Sequence, residues 1–226
     1  MALILSIETA TKNCSVALSN GGDVLALKEL SEEKFSHAEK LHSFILDVVK
    51  HANFELSDLD AIAVSKGPGS YTGLRIGVST AKGLCYALDI PLIAIPTLES
   101  LARQVRSEAE SIIIPLLDAR RMEVYSAVYS STYVQIRETQ AQVIEAMSFS
   151  DYLNSSKVIF LGDGSTKTKE AISHKNAIFM DGRLPSAKEM APLAHDKFDR
   201  HDFEDLAYFE PFYLKDFVAG KPKKYF

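Results

Sequence analysis

The chain has 226 residues, of which 46% are hydrophobic and 24% charged, values that are typical of a globular protein and exclude a disordered one. Its 25 basic and 30 acidic side chains give a net charge of −5, which argues against a duplex-wrapping protein or a polybasic membrane-binding protein. Two cysteines, Cys14 and Cys85, are too few for a disulfide framework or a cysteine-based zinc site.

The chain shows no mark of export or membrane insertion. Residues 1–7 form an apolar run without a basic start, and the run ends at Glu8, so the pattern predicts a strand rather than a signal peptide. No window approaches the roughly 18 consecutive apolar residues that a membrane-spanning helix needs. We therefore expect a cytoplasmic protein that does not contact a membrane.

The first half of the chain alternates between strand and helix patterns. Short apolar runs predict strands at 2–7, 15–19, 24–30, 61–65 and 91–96. Gly21 and Gly22 favour a tight hairpin between the second and third strands, because glycine takes positive φ readily. Apolar residues at helical spacing predict amphipathic helices over 41–52 and 74–88, with a third starting at Thr97. Ser36 and Glu39 indicate a capping box at the first helix.

The second half repeats this order. Strands are predicted at 112–117, 123–129, 132–136, 158–161 and 177–180, and helices at 149–154, 167–174 and 186–198. The repetition indicates two α/β lobes, residues 1–106 and 107–226, divided in the polar stretch 103–111. The aromatic segment 208–217 is expected to dock back on the body of the protein, onto the first lobe, with a recognition tail for a partner as the alternative. The basic tail 220–224 is expected to fray.

The stretch from Gly67 to Gly73 (GPGSYTG) is the most distinctive motif, and it joins a predicted strand to a predicted helix. Backbone N–H groups at such a junction can face an anion. The motif nevertheless fails both phosphate patterns, since Leu74 stands where a P-loop has lysine and Thr72 stands where a dinucleotide motif has its third glycine. A tight turn with a helix N-cap is the favoured interpretation, and an anion site is the alternative.

Small residues recur every four positions on the second helix, at Gly73, Gly77 and Ala81. They allow another backbone to approach closely. One interpretation is packing in the protein's own core, and the alternative is a face that packs in the core and also contacts a partner. His37 and His42 are five apart, which rotates their side chains away from each other on a helix and excludes the zincin metal pair.

Other candidates for chemistry are scattered. The G-x-S-x-G elbow of serine hydrolases is absent around Ser70. Glu8, Asp118 and Asp163 follow predicted strands, where carboxylates in α/β folds often face a ligand, although solvated or turn-capping acids are the simpler interpretation. Arg120 and Arg121 could clamp a phosphate or carboxylate, or pair with neighbouring acids. The sequence indicates no catalytic, cofactor-binding or metal-binding residue.

Four motifs resemble the TsaB family of bacterial tRNA-modification subunits. They are residues 7–18 (IETATKNCSVAL), 66–77 (KGPGSYTGLRIG), 96–101 (PTLESL) and 117–125 (LDARRMEVY), and the likeness returns at 211–217 (PFYLKDF). The resemblance implies the two-lobed actin/sugar-kinase/Hsp70-like fold, a duplicated ribonuclease-H-like arrangement. The chain departs from the family at Glu8, where many members have aspartate, and it lacks the histidine pair of the catalytic paralogue.

The resemblance also implies a function. In the family, the subunit binds a paralogue, TsaD, which transfers threonylcarbamoyl to adenosine beside the tRNA anticodon, and a small ATPase, TsaE, joins the pair. The chain would then be a non-catalytic scaffold that reaches tRNA only indirectly, through the complex. A homodimer of the chain in the absence of its partner stays open on the sequence. The chain's first two helices, which the resemblance places at 38–49 and 71–88, would meet the partner, with these candidate interface residues: Leu41, Phe44, Ile45, Gly73, Leu74, Gly77, Val78 and Ala81.

Two other functions stay open on the sequence. An ATP-dependent enzyme could use the cleft between the lobes, with Glu8, Asp118 and the Gly162–Gly164 turn at the nucleotide. A protease built on Ser70 is the weaker alternative.

Overall fold

The computed structural model of the chain describes residues 1–32, 37–106 and 110–215. The cap predicted at Ser36, the end of the aromatic segment at Phe217 and the basic tail 220–224 lie outside the described residues. The predicted division between residues 106 and 107 borders a range, 107–109, that also lies outside them, so it stays a prediction.

The first half of the chain builds one five-stranded sheet. Its elements are β1 (Leu3–Glu8), β2 (Asn13–Asn20), β3 (Asp23–Ser31), α1 (His37–His51), a 3₁₀ turn (Leu56–Asp58), β4 (Ala61–Gly67), α2 (Tyr71–Leu88), β5 (Leu92–Pro96) and α3 (Thr97–Ala102). The strand order is β3-β2-β1-β4-β5. The β1–β2 and β2–β3 pairs are antiparallel, whereas β4 runs parallel to β1 and to β5. As expected, Gly21 and Gly22 take positive φ in the β2–β3 hairpin.

The second half repeats that topology. Its elements are β6 (Ile112–Asp118), β7 (Glu123–Ser130), β8 (Gln135–Val143), α4 (Ser150–Leu153), β9 (Val158–Leu161), α5 (Ser165–Ala171), β10 (Ala177–Met180) and α6 (Ala187–Asp199). The order β8-β7-β6-β9-β10 matches the first sheet strand for strand. The duplicated α/β fold that the resemblance implied is therefore confirmed.

The third strand of the second half lies later than the sequence pattern predicted. Residues 132–134, which were expected to begin it, belong to a turn, because the Ser130 hydroxyl accepts the N–H groups of Thr132 and Val134. The strand itself, β8, is a mostly exposed edge strand with many polar residues. An edge strand with so little apolar periodicity gives a weak sequence signal.

Helices from each half pack on the sheet of the other half. The apolar face of α6, with Ala187, Met190 and Ala194, covers Ile4, Ile93 and neighbouring residues of the first sheet. Conversely, Leu98 and Leu101 of α3 pack with residues of the second sheet. The two sheets are thus joined through these helices as well as through the chain.

The segment after α6 crosses back over the first lobe. Glu204 pairs with Leu92 in a bridge, and the Lys82 ammonium donates to the carbonyls of Ala207 and Phe209. Further on, the Phe212 N–H donates to the Lys66 carbonyl at 2.7 Å. The segment therefore docks on the body of the protein as far as residue 215. Across the described ranges, none of the helices combines the length and apolarity that crossing a bilayer requires.

Candidate functional site

A cleft of about 760 Å³ lies between the two lobes. The first lobe contributes the β1–β2 turn and the start of α2, and the second lobe contributes the β6–β7 turn and Asp163. Residues 212–215 form a further wall. The two turns lie at corresponding places in the two sheets, so the duplication itself brings them to face each other across the cleft.

The β1–β2 turn is held tightly beneath α2. The Thr9 hydroxyl donates to the Gly73 carbonyl at 2.9 Å, and the Ser70 N–H donates to the Ala10 carbonyl at 2.7 Å. A Cβ atom at Gly73 would lie 2.1 Å from the Thr9 carbonyl oxygen, and one at Gly77 would lie 2.3 Å from the Thr9 hydroxyl. The glycines therefore let this helix approach the protein's own β1–β2 turn, which is the core-packing interpretation of the small-residue repeat.

The GPGSYTG motif forms a tight turn and a helix cap. The Ser70 hydroxyl accepts the Gly73 N–H at the start of α2, which has the N-cap geometry that the sequence favoured. Ser70 borders the cleft, but no histidine is among the cleft-lining residues within the described ranges. The hydroxyl is thus committed to helix capping.

The eight candidate interface residues need a correction. Each lies in the interior, and the six non-glycine side chains are at most 6% exposed because α1 and α2 turn their apolar faces to the sheet: Leu41, Phe44, Ile45, Leu74, Val78 and Ala81. Gly73 and Gly77 are buried against the β1–β2 turn. These residues therefore offer no free surface to a partner, although the helices that carry them have another, exposed face.

That exposed face contains a shallow groove. The groove is lined from α1 by His42 and from α2 by Ser79, Thr80, Gly83 and Leu84. Leu46 follows His42 by one helical turn and is 58% exposed. Tyr86 lies three residues after Gly83 and is 83% exposed. Two large, exposed side chains with apolar surface therefore lie near this groove, whose lining includes the small residues Ser79 and Gly83.

The three candidate carboxylates are only partly brought together. Asp118 and Asp163 meet at the cleft, where Asp163 Oδ1 accepts the Asp118 N–H at 2.9 Å. The Asp163 side chain reaches solvent, but the protein around it removes part of its hydration, and this desolvation raises the pKa of Asp163 above its usual value. The hydrogen bond from the Asp118 N–H offsets only part of that rise. Lys167 binds Asp118 Oδ1 at 2.5 Å and also donates to two carbonyls of the β6–β7 turn. Asp118 thus serves to fix this turn.

Glu8 lies behind the β1–β2 turn and is fully buried. Its Oε1 accepts the Ala10 N–H at 2.6 Å, while Oε2 has no hydrogen bond of good geometry. Burial raises the pKa of Glu8 to about 7, and the Ala10 N–H and Ser65 hydroxyl offset only part of that effect. Glu8 is therefore a protonatable group inside the first lobe rather than a side chain in the cleft.

Three cations line the cleft without an ion pair inside the described parts of the chain: Lys12, Arg120 and Arg121. The sequence left open whether the arginines clamp an anion or pair with neighbouring acids, and they do not pair with any described acid. Both arginines have positive φ, at 70° and 50°. Sequence reasoning missed Lys167 and the wall formed by 212–215, because both depend on contacts between distant parts of the chain.

His37 and His42 lie in different surroundings, as their spacing predicted. The His37 Nε2 is 2.8 Å from the Thr11 carbonyl in the interior, while His42 lines the groove between α1 and α2. Among residues 1–32, 37–106 and 110–215, no group of three or more histidine, cysteine, aspartate or glutamate side chains could hold a metal ion.

The chain is similar to curated proteins over nearly its whole length. It is 32% identical to the tRNA threonylcarbamoyladenosine biosynthesis protein TsaB of Escherichia coli K12, over 96% of both chains. The chain belongs to the TsaB family. The TsaB protein of Bacillus subtilis is 34% identical over 75% of this chain. In addition, the sequence model of the TsaD family, tRNA N6-adenosine threonylcarbamoyltransferase, matches residues 31–222, so the two families share a common sequence pattern.

The TsaB fold is also found among solved structures. A Pseudomonas aeruginosa protein described as similar to peptidase YeaZ superposes with a TM-score of 0.84 and 26% identity, covering 95% of this chain and all of that one. YeaZ from the same organism superposes with a TM-score of 0.77. The TsaB-family resemblance found in the four motifs is thus confirmed both in sequence and in fold.

Proposed function

We propose that the chain is a non-catalytic subunit in the formation of threonylcarbamoyladenosine in tRNA, where it binds and activates a TsaD paralogue. Membership in a family named for this biosynthesis supports the pathway. A scaffold role is supported by Ser70 and Asp118, two polar residues at the cleft that are committed to a helix cap and to a turn.

The observation that carries the docking proposal is the exposed face of α1 and α2. Leu46 and Tyr86 project apolar surface into solvent beside a groove lined by small residues such as Gly83. Exposed apolar residues that flank a groove are typical of a protein–protein interface, and tyrosine is enriched at such sites. A helix pair of this length can supply part of an interface of about 1,600 Å².

The docking proposal is tested by mixing the purified chain with its TsaD paralogue and measuring mass by light scattering. We expect a stable heterodimer for the unchanged chain. Leu46→Glu should weaken it strongly, because the change puts a charge into a desolvated contact. Met147→Glu is the matched control, since Met147 is 74% exposed and lies in the other lobe. The proposed face would be contradicted if both variants lost binding equally or if both bound as well as the unchanged chain.

Activation is tested separately from docking. The paralogue should modify tRNA only when the chain is present, and the chain alone should be inactive. Leu46→Glu should reduce modification in proportion to the lost heterodimer. A chain that modifies RNA without the paralogue would overturn the non-catalytic role.

We extend the proposal to the other members of the assembly. A TsaE-type ATPase would join the heterodimer, and tRNA would be held by the assembled complex. The same helical face would pair two copies of the chain when the paralogue is missing, because an exposed apolar face is covered by whatever complementary surface is present.

An ATP-dependent enzyme is the second candidate, and the two facing turns of the cleft favour it. In that case Asp118 and Asp163 would lie near the phosphates, with Glu8 behind the first turn. Calorimetry with ATP and magnesium separates the two candidates. Heat of binding at micromolar nucleotide would favour the ATP-dependent enzyme. The absence of heat up to millimolar nucleotide would count against the enzyme and favour the scaffold.

A further inference from the structure

The cleft carries more positive charge than the chain as a whole. Of its acidic side chains, Asp118 is bound by Lys167 and Glu123 pairs with Lys215. Asp163 is the remaining acid, against the three unpaired cations Lys12, Arg120 and Arg121. A net positive surface in a chain of net charge −5 favours the approach of a polyanion to the cleft.

The backbone of the β6–β7 turn supports a role for the two arginines. Arg120 and Arg121 both adopt left-handed φ, at 70° and 50°, which glycine or asparagine would adopt more readily. In the β2–β3 hairpin of the same protein, Gly21 and Gly22 occupy the positive-φ positions. Residues other than glycine that adopt positive φ cluster at functional sites. Arg120 and Arg121 both line the cleft.

Aromatic rings lie beside these cations. Tyr213 packs on Tyr71 with ring centroids 4.9 Å apart, and both line the cleft. Tyr213 is still 37% exposed and Phe212 is 43% exposed. Proteins that hold single-stranded nucleic acid combine cations that follow the phosphates with exposed aromatic rings on which bases stack.

We propose that this cleft contacts an unpaired strand of the RNA, with Lys12, Arg120 and Arg121 at phosphates and Phe212 or Tyr213 beneath a base. The inference rests on the proposed function for the identity of the RNA as tRNA, and it revises the expectation that the chain reaches tRNA only indirectly. Rings that remain more than a third exposed suit a strand passing over them, whereas a pocket for a free small molecule buries most of its ligand.

The electrostatic part is tested on the full chain with a fluorescently labelled RNA stem-loop. Three phosphate contacts on a single strand predict a slope of about −2 for log K against log salt between about 50 and 200 mM. Arg120→Gln with Arg121→Gln should bring the slope to about −0.7. The matched control is Lys175→Gln with Arg183→Gln, which removes the same charge from two exposed cations outside the cleft.

The stacking part is tested with Tyr213→Leu, which keeps apolar packing on Tyr71 but removes the aromatic face. RNA affinity should fall roughly tenfold. Tyr208→Leu is the control, since Tyr208 is 84% exposed and does not line the cleft. Circular dichroism melting checks that each variant is folded.

Several results would overturn the inference. One is RNA binding by the unchanged chain that does not depend on salt. Another is an equal loss of RNA affinity in the cleft variants and in their controls. A third is displacement of RNA by free AMP or ATP at millimolar concentration, which would make the ligand a free nucleotide. Heterodimer formation with the paralogue, measured on the same samples, should be unchanged by the arginine variant. If the unchanged chain binds RNA with the predicted salt slope but does not pair with the paralogue, the result counts against the proposed function and not against this inference.

Discussion

Two glycines on the same helix, α2, should respond oppositely to replacement by alanine. At Gly73, the new Cβ atom would lie 2.1 Å from the Thr9 carbonyl oxygen and 3.3 Å from the Thr9 carbonyl carbon. Both are backbone atoms, so no side-chain rotation relieves the contact. At Gly83, the new Cβ atom has no neighbour within 4 Å.

The magnitudes follow from these contacts. Overpacking at Gly73 costs about 3 kcal/mol, and the shift also threatens the hydrogen bond from Thr9 to the Gly73 carbonyl, worth about 1 kcal/mol. Alanine has a higher helix propensity than glycine, which stabilises the helix by about 1 kcal/mol at either site. We therefore expect Gly73→Ala to destabilise the fold by about 3 kcal/mol and Gly83→Ala to stabilise it by about 1 kcal/mol.

Thermal unfolding of the isolated chain measures the difference. For a protein of this size, 1 kcal/mol shifts Tm by about 2–4 °C, so Gly73→Ala should melt about 6–12 °C lower and Gly83→Ala about 2–4 °C higher. Urea unfolding gives the free energies directly. Equal melting temperatures for the two variants would refute the packing of α2 on the β1–β2 turn.

Glu8 and Lys167 give further predictions. The pKa of Glu8 is raised from 4.5 to about 7 in the folded state, so the folded chain binds more protons than the unfolded chain between these values and its stability falls as pH rises from about 4.5 to 7, by roughly 3 kcal/mol. Glu8→Gln should flatten this pH profile in urea unfolding, and an unchanged profile would exclude Glu8 as its source. Lys167→Ala should destabilise the β6–β7 turn by about 1–3 kcal/mol, because it removes three hydrogen bonds. Lys169→Ala, in an exposed pair with Asp181, should change stability by less than about 0.5 kcal/mol, and a similar loss in both variants would contradict the role of Lys167.

The elements with strong boundary signals could be predicted from the sequence. Helix α2 spans Tyr71–Leu88, the bounds that the resemblance implied, because Ser70 caps its start and Asp89 ends it in the left-handed conformation, with its N–H donating to the Cys85 carbonyl. Strands β9 and β10 also match, since turn residues flank short apolar runs. The edge strand β8 was misplaced because most of its residues are exposed and its apolar residues are few.

The site was harder to predict for two physical reasons. An apolar helical stripe marks burial but does not tell whether sheet or partner covers it. The resemblance placed Leu41 and Val78 at an interface, and the structure buries both in the core. The cleft depends on distant contacts, such as the 2.7 Å hydrogen bond from Phe212 to Lys66, and no local pattern encodes these. The sequence did give signals for the cleft at Asp118 and Asp163, at the GPGSYTG motif and at the possible anion clamp of Arg120 and Arg121, all of which line it.

We propose that the chain works by binding a TsaD paralogue through the exposed face of α1 and α2. Light scattering on a mixture of the two purified proteins at micromolar concentration measures this binding. We expect one species with the mass of a heterodimer, which Leu46→Glu separates and Met147→Glu leaves intact. Two separate species from the unchanged proteins would contradict it.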